Sequence, residues 1–363
     1  VIGARLKLAR SAAGLSLREL EDRLGGLVSA QAIGKYERDE MMPGSEVLIA
    51  LSRALGVSED YLLRQDAVEL VGVEFRKHRL ETAKDRARVQ AQILSAVERY
   101  LEVEDLLALS SAWQMPKGFP YKARRPADGE EAAKALRVAW RLGVDPIPSL
   151  AEFLEEKAIK IVSIPLSERV SGVKANVKQK DGALVQAIVL NSEHPGERQR
   201  FTLSHELGHL VLDLRSVPEK IAESICNRFA GAFLVPEQTL CAELGNNRTS
   251  ISIAELFSLK KLFGVSAQAI AYRASDLGII NDSLKQAVFV EFGKRGWRKG
   301  EPPSTLIPKE QPARFKRLCL RALSEEVISL SKAAELLDMG SRELLANLDE
   351  PASAVADDSS PGV

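Results

Sequence analysis

Residues 198–214 read RQRFTLSHELGHLVLDL, and residues 218–236 read PEKIAESICNRFAGAFLVP. The first stretch has helical apolar spacing and places His205 and His209 four residues apart, with Glu206 beside the first. On a helix, positions i and i+4 share a face, so both imidazoles can reach one ion. Glu206 projects next to that face, where a carboxylate takes a proton from water activated by the ion. The chain has four histidines in all, so two of them in this register is a specific signal. The plain alternative is a helical turn with two incidental histidines.

A catalytic zinc needs a third protein ligand and one open position. Six residues beyond the second histidine stands Arg215, a cation that cannot ligate. Three carboxylates remain. Asp213 lies one turn beyond His209, as a ligand candidate or an outer residue. Glu219 and Glu223 lie on the second stretch, which Pro218 opens and Pro236 closes. Two antiparallel helices can bring a mid-helix carboxylate against the histidine face. Glu223 has that place, with Asn227 one turn later to orient a carboxylate. Glu219 is in the first turn, where an acid often only offsets the helix dipole. Geometry favours Glu223 and leaves the other two open.

Around this pair the segment 130–285 reads as α+β. EEAAKALRVAWRLG (130–143) and PSLAEFLEEKA (148–158) have helical patterns. KIVSIPL (160–166) and ALVQAIVLN (183–191) are β-rich, and SGVKANVKQKDG (171–182) alternates and ends in an Asp-Gly turn signal, which predicts a hairpin. The LVQAIVLN run is either an edge strand that accepts substrate as an added strand or an interior strand. Residues 251–279 give two more helices. VFVEF (288–292) reads as a strand, followed by the basic loop GKRGWRKG (293–300).

At the other end, residues 1–65 form five short helical patterns. Ser16 and Glu19 make a capping box before LRELEDRL, GGLVS breaks the pattern, and AQAIGKYERDE follows. That order is helix, turn, recognition helix. The region carries nine Lys/Arg and ten Asp/Glu over residues 1–66, so it lacks the usual basic footprint of a strong DNA binder. Protein pairing through this domain is the competing reading. Near the C-terminus, SLSKAAELLDMGSRELLANL (329–348) reads as two short helices about a Met-Gly turn, taken as a packing or dimerisation hairpin before a second helix-turn-helix.

The chain has 363 residues, 45% hydrophobic and 28% charged, and its 50 cations cancel its 50 anions. No bulk field draws it to nucleic acid or an anionic membrane, so DNA contact requires a local patch. No run approaches 18 apolar residues, and no leader pattern opens the sequence. Three cysteines without a CxxC pair point to a reducing cytoplasm.

RFTLSHELGHLVL followed by Glu223-x-x-Cys226-Asn227-x-Phe229-Ala230 resembles the ImmA/IrrE family of metallopeptidases, with Cys226 where relatives have Ala and Asp213 where many have His. The resemblance spans about residues 110–285. It implies a zincin-like fold, zinc held by His205, His209 and Glu223, and Glu206 as general base, with Asn227 and Asp213 around them. Two histidines and a carboxylate also suit manganese. An oxyanion donor beside the metal is required; spacing selects none among His194, Arg198 and Arg200, and an ion-pair role is preferred for Arg200. Residues SLRELEDRLG through VSEDYLL resemble the XRE repressor family. That resemblance implies an operator interface of Ser29, Gln31, Ala32 and Lys35, with Arg38 on the backbone.

The expected architecture is therefore α+β multidomain: an all-α helix-turn-helix domain (1–66), a connector strand and long linker helix (67–110), a metallopeptidase domain (111–285), a strand plus helical extension (286–350) and a disordered tail (351–363). The expected function is a cytoplasmic regulatory zinc endopeptidase with a DNA-binding domain that cleaves an XRE-type repressor or related protein, with no membrane partner and homodimerisation left open. The alternative is a non-proteolytic regulator or antitoxin-like protein whose zinc domain senses a partner or ligand.

Overall fold

The computed structural model describes residues 2–63, 68–73, 82–109, 112–179, 182–298 and 300–349. In chain order the elements are α1 (Gly3–Ala12), α2 (Leu17–Arg23), α3 (Ala30–Glu37), α4 (Ser45–Leu55), α5 (Glu59–Leu63), β1 (Val68–Val73), α6 (Ala83–Leu106), β2 (Tyr121–Lys122), α7 (Pro126–Ala139), α8 (Leu150–Glu156), β3 (Lys160–Ile164), β4 (Gly172–Gln179), β5 (Leu184–Asn191), α9 (Gly196–Val211), β6 (Leu212–Asp213), α10 (Glu219–Leu234), α11 (Glu237–Leu244), α12 (Ile253–Phe263), α13 (Ala267–Asp276), α14 (Asp282–Lys294), α15 (Arg314–Ser324), α16 (Leu330–Leu337) and α17 (Ser341–Asp349).

These elements form two compact units. One gathers residues 1–66, 98–111 and 313–363; the other gathers 67–97 and 112–312. The division differs from the boundaries the sequence suggested. The peptidase-side unit continues past 285 to 312, the C-terminal helices group with the N-terminal domain, and the linker region 67–110 is shared between the units. The expected tail, 351–363, lies outside the described residues.

In the first unit, local chemistry fixes the helix starts. The Ser16 hydroxyl accepts from the Glu19 amide at 3.2 Å while the Glu19 carboxylate reaches back to the Ser16 amide. Ser29 caps α3 by accepting from the Ala32 amide. Leu6, Leu20, Ile33, Leu51 and Leu62 are fully buried, with Leu24, Leu48 and Leu55 packed beside them. A second core joins Tyr100 and Val103 of α6 to Leu318, Ala322, Ile328, Ala333, Leu336 and Leu344 of the last three helices. There α16 and α17 are separated by residues 338–340, with Asp338 at φ 56° turning the chain.

The second unit is built on a four-stranded sheet in the order β1-β4-β5-β3. β4 and β5 pair antiparallel as the predicted hairpin; its residues 180 and 181 lie outside the described set. β3 runs parallel to β5, and β1 pairs antiparallel with β4. The LVQAIVLN strand is therefore interior. Its neighbours fill both of its ladders, so it has no edge for an added strand.

Helix α9 lies on one face of this sheet. Gly172 permits the approach: a Cβ there would stand 2.4 Å from Thr202 Cγ2. Leu203 and Leu207 of α9 share one core with Ile188 and Leu190 of β5 and with Ile225, Phe229 and Phe233 of α10. On its other side α10 meets α7 closely, for a Cβ on Gly129 would stand 2.5 Å from the Ile225 carbonyl oxygen.

Two local expectations are corrected. VFVEF is helical, inside α14, not a strand. Asn281 caps that helix by accepting from the Leu284 amide, and Val288 and Phe292 are buried one turn apart, so 3.6-residue periodicity overrides β-propensity. Asp213 does not extend the histidine helix. α9 stops at Val211, and the chain becomes β6, paired parallel with β2.

Candidate metal centre

α9 and α10 pack side by side and bring three donors to one point. His205 and His209 lie on one face of α9, and Glu223 lies one turn into α10. Their Nε2 atoms are 3.1 Å apart, and Glu223 Oε2 and Oε1 lie 3.6 Å from His205 Nε2 and 3.3 Å from His209 Nε2. Their donor atoms fall within 4.8 Å of one another, the separation a single ion would bridge. Two imidazoles and a carboxylate are the borderline donor set that zinc takes in catalytic sites, and also suit manganese.

The surroundings fit a cation. Asn227 Oδ1 lies 2.8 Å from His205 Nδ1, so the amide accepts from Nδ1–H and turns the Nε2 lone pair inward. Asn227 thus orients a histidine ligand, not the carboxylate expected from the sequence. Burial alone lowers the basicity of His209, yet contacts with the Cys226 thiol and Glu223 outweigh it and push the imidazole up to about 10. A position that holds a proton this firmly favours positive charge. Cys226 itself is fully buried.

Glu206 is buried on the same helix, and Gly172 of β4 faces it, with a built Cβ 3.9 Å from Glu206 Cγ. The missing side chain lets the helix of the candidate base pack directly on the strand. Asp213 is not brought to the cluster: its carboxylate receives Arg215 Nε at 3.0 Å, and this hydrogen bond holds its pKa down at about 2. Glu219 opens α10 and also lies outside the cluster.

The three cationic candidates upstream are engaged elsewhere. His194 meets Asn191 and the Glu168 carbonyl, and Arg198 donates to Ser171 Oγ at 3.0 Å. Arg200 is buried on Glu310 and donates to the Ile147 and Pro148 carbonyls, an ion-pair role. Sequence reasoning missed Lys174, whose Nζ donates to the His209 carbonyl oxygen at 3.5 Å. Only the register of β4 over α9 shows this proximity, and no local sequence signal encodes it.

On the N-terminal domain, Gln31, Lys35 and Arg38 are exposed along α3, Ser29 is exposed at its start, and Ala32 is half-buried. Arg38 forms a bidentate pair with Glu40 at 2.6 and 2.9 Å. Tyr36 is buried and serves packing.

A two-helix histidine–glutamate cluster on a mixed sheet, in a chain that also carries a capped helix-turn-helix, defines a metalloprotease-type domain fused to a DNA-binding-type domain. The family comparisons agree. Residues 154–275 match the IrrE N-terminal-like domain and residues 6–62 match the helix-turn-helix family. The chain is 35% identical over 114 residues to the radiation response metalloprotease IrrE of Deinococcus radiodurans, covering 27% of this chain and 34% of that protein. It is 39% identical over 67 residues to the HTH-type transcriptional regulator ImmR of Bacillus subtilis, covering 18% of this chain and 51% of the regulator. A prophage-derived HTH-type regulator of the same bacterium, YonR, is 41% identical over 64 residues, 18% of this chain and 57% of the relative. The chain thus spans between a third and just over half of the length of these relatives.

Proposed function

We propose that this chain is a regulatory zinc metallo-endopeptidase that acts in the cytoplasm and controls transcription by cleaving an XRE-type repressor or a related protein, with its helix-turn-helix bound to an operator. The convergence of His205, His209 and Glu223, with Glu206 alongside, carries this reading. No helix among the described residues is long and apolar enough to cross a membrane.

When bound by this triad, zinc supplies Lewis acidity toward a peptide carbonyl and lowers the pKa of water. The residues of the chain do the rest. Asn227 fixes the tautomer of His205. Glu206 accepts a proton from the attacking water and returns it to the leaving amine. On α3, Gln31 meets adenine, Lys35 meets guanine or phosphate, and Ser29, Ala32 and Arg38 complete the interface.

The decisive experiment mixes the zinc-loaded protein with a candidate repressor and follows cleavage. Glu206→Gln is expected to lower the rate by about 10² to 10⁴ while zinc content stays at one per chain. His205→Ala is expected to lose the zinc. Cleavage by Glu206→Gln at the wild-type rate, or zinc content indifferent to His205→Ala, overturns the proposal and leaves a non-proteolytic regulator.

A further inference from the structure

The transition state of peptide hydrolysis places a negative charge on the former carbonyl oxygen, in a site that already holds the carboxylates of Glu206 and Glu223. A hydrogen-bond donor beside the metal position is required; the upstream candidates contact Ser171, the Glu168 carbonyl, Glu310 and other backbone carbonyls.

We propose that Lys174 is the oxyanion-stabilising residue of this site, an inference that rests on the peptidase reading above. The placement follows from the pleat. Alternate residues of a strand share a face, and cross-strand partners share it as well. Gly172 pairs with Leu190 and Lys174 with Ile188, and both apolar partners belong to the core that α9 covers. Gly172 lies against Glu206, so Lys174, two residues on, projects from the same face toward the last turns of α9. Its Nζ reaches the carbonyl of the ligand residue His209 at 3.5 Å, and the side chain is half-buried, not extended into solvent. The strand therefore brings Gly172 against the helix of the base and a cation to the main chain of a candidate ligand residue.

In the addition step, the water oxygen bonds to the carbonyl carbon and its proton passes to Glu206. The π pair moves onto the carbonyl oxygen, where the Lys174 ammonium donates a hydrogen bond and keeps its proton. In the collapse the pair re-forms the carbonyl, the C–N bond breaks, and Glu206 delivers its proton to the departing nitrogen. A charge-assisted hydrogen bond that strengthens as the oxygen becomes anionic lowers the barrier without tightening ground-state binding.

The competing role is structural: His209 lies in the final turn of α9, and a lysine there satisfies a helix-terminal carbonyl. A tetrahedral probe separates the two roles. An N-phosphoryl dipeptide is titrated calorimetrically into the zinc-loaded full chain, and zinc affinity is measured by chelator competition on the same samples. Lys174→Met is expected to weaken probe binding by about ten- to a hundredfold, with zinc affinity and Tm unchanged. Lys174→Arg should restore binding to within about threefold of wild type, since it keeps the charge and the donor. Wild-type probe binding by Lys174→Met overturns the inference, as does a parallel fall in zinc affinity and Tm, or failure of the wild type to bind the probe. If no repressor is cleaved while these probe results hold, the failure belongs to the assigned substrate and not to Lys174.

Discussion

Asn227 shows what a single amide does at this centre. By accepting from His205 Nδ1–H at 2.8 Å it fixes both the tautomer and the ring plane of a ligand. Asn227→Ala is expected to weaken zinc binding by about 10- to 100-fold in chelator competition, with the fold intact by circular dichroism. An unchanged affinity removes the orienting role. At this scale the sequence was legible where spacing on one helix decides geometry. His205, His209 and Glu206 needed only the i, i+4 rule, and Glu223 needed the further assumption that two consecutive helices pack antiparallel. Asp213 was misjudged because helix termination at Val211 goes with the strand pairing of 212–213 with 121–122, far earlier in the chain. Lys174 was invisible for the same reason, since its neighbour across the sheet face is set by tertiary contact.

Among the elements, the α7–α10 crossing has little tolerance. The Cβ of an alanine at 129 would stand 2.5 Å from a backbone oxygen of α10, so the helices must separate. Gly129→Ala is expected to cost about 1–3 kcal/mol, read as a lower urea midpoint at unchanged slope. Because α10 supplies Glu223, zinc affinity should fall in the same variant. The same crossing buries Glu130 against Arg273 and Arg228. Burial raises its pKa, but the two guanidiniums outweigh it and hold the carboxyl below its ordinary value. Its contribution is therefore fully present above the unfolded carboxylate range and is lost as pH falls through the lowered folded value. The acid-unfolding profile of Glu130→Gln should be flatter than wild type below about pH 4.5. Equal acid sensitivity would refute this account. Elements with strong caps and clean period were legible from the sequence, as with α2, α3 and the β4–β5 hairpin. VFVEF misled because four β-formers conceal an i, i+4 burial pattern that the Asn281 cap sets in register.

At the scale of the molecule, two chemistries occupy two separate units. Gln31 and Lys35 are exposed, so the double substitution Gln31→Ala, Lys35→Ala should abolish operator binding in a gel-shift assay without moving Tm or peptidase rate. Retained binding assigns α3 to protein pairing. The order of the two domains was legible in the sequence, but their limits were not, because the residues that complete the second unit carry no motif. Glu310 receives Arg200 and the Leu150 and Ala151 amides, and Glu301 shares Lys260 with Glu197. A recombinant fragment ended at residue 275, where the family match stops, would retain all three zinc ligands yet leave two buried cations stripped of carboxylates that lie 26 and 35 residues further on. A self-sufficient piece of this unit is therefore expected to need the chain through Glu310, well past the end of the family match.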